Sequence, residues 1–171
     1  MADITLHGNP CNTSGDLPTT GTKAPDFSLV NKELGEVSLG DFTGKKVLLN
    51  IVPSLDTPVC AMSIRRFAGE ATGREGVSVL NISADLPFAH VRFCTAEGIE
   101  GVENLSTLGS SFARDYGLEI VDGLTGERFT APVRLVDRLD PDAVYDLVVV
   151  PMQKASRLAV CPVLARNTHL K

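Results

Sequence analysis

Two apolar runs, Val47-Leu48-Leu49-Asn50-Ile51-Val52 and Val77-Ser78-Val79-Leu80-Asn81-Ile82, limit the folds open to this chain more than any other feature. Neither contains Gly or Pro, and both suit strands buried on two faces. Pro53 ends the first run. Thr57-Pro58 then reads as a helix start, because a Thr hydroxyl caps free amides and Pro is preset for the first helical position. The helix is expected to reach about Ala71, with Gly73 and Gly76 beyond it. Strand, helix and strand in that order make a βαβ unit, so the two strands should be parallel.

The other elements follow from weaker signals. Residues 4–22 are short and polar around Gly8-Asn9-Pro10 and read as a hairpin or arm. Lys23–Leu29 leads to a short strand. Asp85 is a candidate cap for a second helix carrying Phe88, Val91, Phe93 and Cys94 and ending near Gly98. A third short helix over Ser110–Tyr116 should stop at Gly117. Gly117–Arg128 reads as a loop or hairpin, and Pro132–Asp137 and Ala143–Val150 as two strands around a turn. Lys154–Arg166 carries a weak helix signal, broken by Pro162. The expected architecture is α/β, with a mixed sheet that is parallel in the middle and ends in a C-terminal hairpin.

The 171 residues fit one domain, 1–171, with enough chain to bury a core without disulfide staples. A net charge of −5 argues against nucleic-acid and anionic-membrane partners, which call for a basic surface. No apolar run approaches the length of a membrane span. The N-terminus lacks a basic stretch followed by an apolar one, so a cytoplasmic location is expected. In a reducing compartment the four cysteines, Cys11, Cys60, Cys94 and Cys161, should not form structural bridges. They are also too far apart for a local metal knuckle.

Position singles out Cys60. With Thr57 as N-cap, Cys60 is the third helical residue, where a capping box normally places an anion. Unpaired amides and the positive end of the helix dipole favour a thiolate there, and such cysteines titrate well below about 8.5. The preceding strand brings Cys60 to the carboxyl edge of the sheet, where ligand crevices form. The competing reading is a small buried core residue. Arg65 and Arg66 follow on the same helix at offsets that need not face it. His90 and Cys94 are four apart on a helix, a spacing that can hold a metal, but no further ligands lie nearby. His90 is expected at the surface, and no metal is expected.

The wording of the segment adds a resemblance. Pro53-Ser54-Leu55-Asp56-Thr57-Pro58-Val59-Cys60 matches the peroxiredoxin pattern of Pro, three residues, Thr, two residues, Cys. Ser83-Ala84-Asp85-Leu86-Pro87-Phe88-Ala89 and Arg92-Phe93-Cys94-Thr95-Ala96-Glu97-Gly98 resemble the resolving-cysteine segment of the thiol peroxidase branch, the atypical two-cysteine peroxiredoxins. Lys23-Ala24-Pro25-Asp26-Phe27 and Arg114-Asp115-Tyr116-Gly117 also match, so the resemblance covers roughly residues 4–137.

The resemblance implies a thioredoxin-like fold with an N-terminal β-hairpin and reduction of hydroperoxides. It implies that Cys60 is the peroxidatic cysteine, that Thr57 orients peroxide and thiolate, and that Pro53 shields the pocket. Cys94 would resolve the Cys60 sulfenic acid as a disulfide, and thioredoxin would reduce that disulfide. No metal, flavin or haem is required, and a homodimer is implied.

Three departures from the branch stand out. Ala131 occupies the position where the branch carries an Arg, and Arg128 or Arg134 is left as a substitute. The segment 151–171 is atypical and basic, and reads equally as a helix or as a poorly ordered tail. Cys11 sits where an apolar residue is usual, and both Cys11 and Cys161 read as structural or incidental. Two other classes compete with the enzyme. A slow redox sensor would use the same cysteines, whereas a general dithiol oxidoreductase is disfavoured because no Cys-x-x-Cys occurs. Cys94 lies roughly 13 Å along its helix from Asp85, and a disulfide needs Cα atoms within about 7 Å. The reduced protein is therefore expected to hold the sulfurs apart, with one helix end unwinding to join them.

Overall fold

The computed structural model describes residues 3–6, 9–19, 22–71, 75–122, 129–130, 133–138 and 148–151. Strands β1 (Asp3–Leu6) and β2 (Asn9–Asn12) pair antiparallel, with Ile4 opposite Cys11. Strands β3 (Ser28–Val30) and β4 (Glu36–Ser38) follow, then a 3-10 turn over Leu39–Phe42. Next come β5 (Lys46–Ile51), helix α1 (Pro58–Ala71), β6 (Val77–Ser83), helix α2 (Pro87–Glu97) and β7 (Glu103–Ser106). A short helix α3 (Phe112–Asp115) precedes β8 (Glu119–Ile120), β9 (Phe129–Thr130), β10 (Val133–Arg138) and β11 (Val148–Pro151).

Seven strands form one mixed sheet in the order β11-β10-β5-β6-β7-β3-β4. The two apolar runs are its centre: β5 and β6 pair in parallel from Lys46–Val77 to Ile51–Ile82, and β7 continues the parallel set. Strands β10 and β3 flank the parallel set antiparallel, and β11 pairs antiparallel with β10. This is the α/β architecture with a parallel middle that the runs imply. The weak helix signal at Lys154–Arg166, most of the segment 151–171, and Cys161 lie outside the described residues.

Alternation along the central strands sorts side chains onto two faces. Val47, Leu49 and Ile51 join Leu80, Ile82 and Leu105 in the larger core, which α3 covers through Phe112. Tyr116, just past α3, is fully buried there, stacks on Phe112, and donates its hydroxyl to the Pro25 carbonyl at 2.5 Å. Cys11 packs in this core as a small apolar residue. Leu48 and Val52 face the other way, toward α1.

The two asparagines of the apolar runs lie on the α1 face. The Asn50 amide donates to Asn81 at 2.9 Å, the Asn81 amide donates to Asn104 at 3.1 Å, and Ser63 of α1 donates to Asn50 at 2.9 Å. Three parallel strands and one helix are thus held in register by buried groups that would be costly to leave unpaired.

The short helix α3 ends where Gly117 takes a left-handed conformation (φ +65°), and its backbone lies against Asp16, with a Cβ there falling 2.2 Å from the Asp16 carbonyl oxygen. Gly98, which ends α2 at φ +62°, has open space around it. Gly98→Ala is expected to cost about 1 kcal/mol for the left-handed conformation alone. Gly117→Ala adds a backbone overlap and should cost at least about 2 kcal/mol more. Urea unfolding of the two variants checks this, and equal losses would contradict the packing of Gly117 on Asp16.

Candidate active site

The first turn of α1 forms at the carboxyl end of β5. The Thr57 carbonyl accepts the Ala61 N–H at 2.9 Å, which makes Thr57 the N-cap, Pro58 the first helical residue and Cys60 the third. The Thr57 hydroxyl points back to the Ser54 carbonyl at 3.4 Å. Cys60 is 4 % exposed and packs with Val52, Leu55 and Ile64, the half-buried Phe93 and Ile99 closing the cluster from α2 and the segment beyond it. Pro53 and Thr57, in the loop before α1, are half-buried.

The loop that presents Cys60 is held by a carboxylate from the next loop. Asp85 Oδ2 accepts the Leu55 N–H at 2.7 Å and the Ser83 O–H at 2.7 Å, and Oδ1 accepts the Ser54 O–H at 2.9 Å. Asp85 was expected to cap α2. The N-cap there is Leu86, with no side-chain hydrogen bond and Pro87 supplying the first helical residue. Asp85 stands one residue before that N-cap, and its carboxylate instead takes three donors from the loop before α1 and the end of β6.

Cys94 is the eighth residue of the eleven in α2 and is half-buried. Burial pushes its thiol above the ordinary range, with the Lys32 charge acting in the opposite sense. Cys60 and Cys94 carry thiols rather than a disulfide. Phe93, the neighbour of Cys94, packs against the Cys60 cluster and links the two cysteine regions.

The sequence expectation for His90 is corrected. His90 was expected at the surface but is 1 % exposed, with Nε2 2.9 Å from the hydroxyl of buried Ser83. Phe88 and Val91, which α2 carries as expected, are exposed. Pro87 and His90 share the inward face of α2, and the Ser83 hydroxyl gives the imidazole a polar partner there.

A cleft of about 450 Å³ runs between the two helices beside this site, lined by Thr57, Pro58, Arg65, Arg92, Phe93 and Glu97 among others. Two ion pairs cross it. Arg65 holds Glu97 with two bonds, at 2.5 and 2.7 Å, and Arg92 lies 3.5 Å from Asp56. The pairing raises the Arg65 guanidinium and lowers the Glu97 carboxyl, in both cases chiefly through their mutual hydrogen bonds. Arg65 therefore serves α2. Arg134 lies in β10 in register with Asn50, while Arg128, Ala131 and the end of the Gly117–Arg128 segment lie outside the described residues. Among the described residues there is no group of three or more His, Cys, Asp or Glu side chains suited to a metal ion. No helix among them is long and apolar enough to cross a membrane.

A thiol at a helix N-terminus, on the carboxyl edge of a mixed sheet flanked by helices, places the chain among the redoxins, whose family model matches residues 19–139. The thiol peroxidase of Mycobacterium tuberculosis is 54 % identical over 123 residues, covering 72 % of this chain and 74 % of that one. The thiol peroxidase of Corynebacterium glutamicum is 43 % identical over 164 residues, covering 89 % of this chain and 99 % of that one. A peroxiredoxin-like protein from Aquifex aeolicus superposes with a TM-score of 0.78 at 31 % identity, covering 87 % of this chain and 85 % of that one. The chain belongs to the thiol peroxidase branch of the peroxiredoxins and is a thiol-dependent peroxidase with a thioredoxin-like fold.

Asp85→Asn turns one acceptor oxygen into a donor facing donors. It is expected to destabilise the protein by about 2 kcal/mol and to slow oxidation of Cys60 by peroxide. A urea midpoint equal to that of the parent protein would show that the carboxylate does not hold the loop.

Proposed function

We propose that the protein reduces hydrogen peroxide and organic hydroperoxides in antioxidant defence, with Cys60 as the attacking thiolate, Cys94 as its resolving partner and thioredoxin as the reductant. The observation that supports this reading best is the seat of Cys60. Its sulfur lies in the first turn of α1, where unpaired amides and the helix dipole favour negative charge. Apolar walls keep bulk water out.

The Cys60 thiolate attacks the terminal peroxide oxygen. The O–O bond breaks, the alkoxide or hydroxide leaves and takes a proton, and Cys60 becomes a sulfenic acid. Thr57, as N-cap, orients peroxide and thiolate, and Pro53 shields the pocket. The Cys94 thiol then displaces the sulfenic oxygen as water and forms a disulfide. Two thiols of thioredoxin reduce that disulfide by exchange. None of these steps needs a metal, flavin or haem. This reading places the protein in the cytoplasm as a homodimer, with neither nucleic acid nor membrane as partner.

The intact α2 fits the expectation that resolution requires unwinding, since Cys94 sits within the helix rather than at its end. Peroxide consumption in the presence of thioredoxin, its reductase and NADPH tests the whole cycle. Cys60→Ser should abolish turnover. Cys94→Ser should allow one equivalent of peroxide to react and then stall or over-oxidise at Cys60. Turnover by Cys60→Ser at the parent rate would overturn the assignment of the attacking thiol, and undiminished turnover by Cys94→Ser that of the resolving one.

A further inference from the structure

The Ser83 hydroxyl has one proton, and it is directed to Asp85 Oδ2. The bond between Ser83 and His90 must then run from His90 Nε2–H to the Ser83 oxygen. This leaves Nδ1 as a bare lone pair, and Nδ1 is buried without a hydrogen-bond partner among the described residues. A second proton on the ring would have no acceptor in that place. The relay continues through Asp85 to Ser54 and Leu55, in the loop that leads to Cys60. In an α-helix, the N–H of Cys94 bonds to the carbonyl of His90, so His90 begins the turn that must open if Cys94 is to move.

We propose that His90 is a positioning residue: its neutral ring registers the Cys94 helix against the Cys60 loop, and it takes up a proton when α2 opens to let Cys94 reach Cys60. This rests on the proposed resolution by Cys94.

The surroundings of the ring support the coupling. Burial pushes the imidazolium down to about 4, with the Asp85 charge acting in the opposite sense. Strand β6 contributes the neutral Ser83, and Ser106 at the end of β7 bonds to the Asp85 carbonyl at 2.6 Å. On α2 itself the ionisable groups are Cys94, one turn away, Arg92, which lies by Asp56, and Glu97, two turns away on Arg65. Freed into water, the ring returns to about 6.5. The folded pKa is the lower one, so acid favours the opened helix, and the effect builds as pH falls from about 6.5 toward 4.

The test follows the ring proton of His90 by NMR, in the reduced protein and after one equivalent of peroxide, with His90→Gln used for assignment and disulfides mapped by mass. In the reduced protein the resonance should not titrate between pH 5.5 and 8. In the oxidised protein it should titrate near pH 6.5. The rate of disulfide formation, taken as the ratio of parent to His90→Gln, should rise about tenfold from pH 7.5 to 5.5, because the thiol ionisation common to both cancels. A mapped Cys60–Cys94 disulfide with an unchanged His90 titration would overturn the proton coupling alone. Absence of that disulfide would overturn the resolution reading and this inference with it.

Discussion

The site depends on one carboxylate. Asp85 gathers the Leu55 amide and the Ser54 and Ser83 hydroxyls, and so closes the loop between β5 and α1 onto the end of β6. The direction in which α1 leaves the sheet follows from that closure, and with it the place of Thr57 and Cys60. A helix N-terminus helps a thiolate only if the first turn is formed and aimed into a dry pocket. Val52, Leu55, Ile64 and the incoming Phe93 make the pocket dry, and the carboxylate holds the turn above it.

The two helices on this side of the sheet are anchored differently. Helix α1 buries Ile64, Phe67 and Ala68 against the sheet and adds a buried hydrogen bond from Ser63 to the asparagine ladder. Helix α2 leaves Phe88 and Val91 in solvent and is held by His90, by the edge of Phe93 and by the exposed pair Arg65–Glu97. Exposed ion pairs contribute little to stability. Helix α1 is thus the fixed partner and α2 the one less costly to displace, as the proposed resolution by Cys94 requires.

The strand pattern was legible because β5 and β6 are buried on both faces, which leaves mostly apolar runs that few other elements produce. The start of α1 was legible from Thr57-Pro58 because capping is a local interaction. What was missed is non-local. Asp85 was read as the cap of the helix beside it, but its partners Leu55 and Ser54 lie some thirty residues back. His90 was read as a surface residue because a lone imidazole among apolar neighbours carries no sign of its partner, and Ser83 belongs to the preceding strand. The segment Ser83-Ala84-Asp85 held the available signal: two short polar side chains closing an otherwise apolar strand mark a place where buried donors converge. The asparagine ladder was equally hidden, since nothing in either apolar run says that Asn50 and Asn81 face each other across neighbouring strands.

The central proposal is that two cysteines have opposite characters: Cys60, at a helix N-terminus, reacts as thiolate, and Cys94, in a half-buried helical turn, stays a thiol. Alkylation of the reduced protein with iodoacetamide across pH, with each cysteine followed by mass, measures this directly. Cys60 should reach half-maximal reactivity well below the ordinary range of a free thiol, and Cys94 above it. A Cys60 profile that coincides with that of Cys94, or lies above it, would contradict the account.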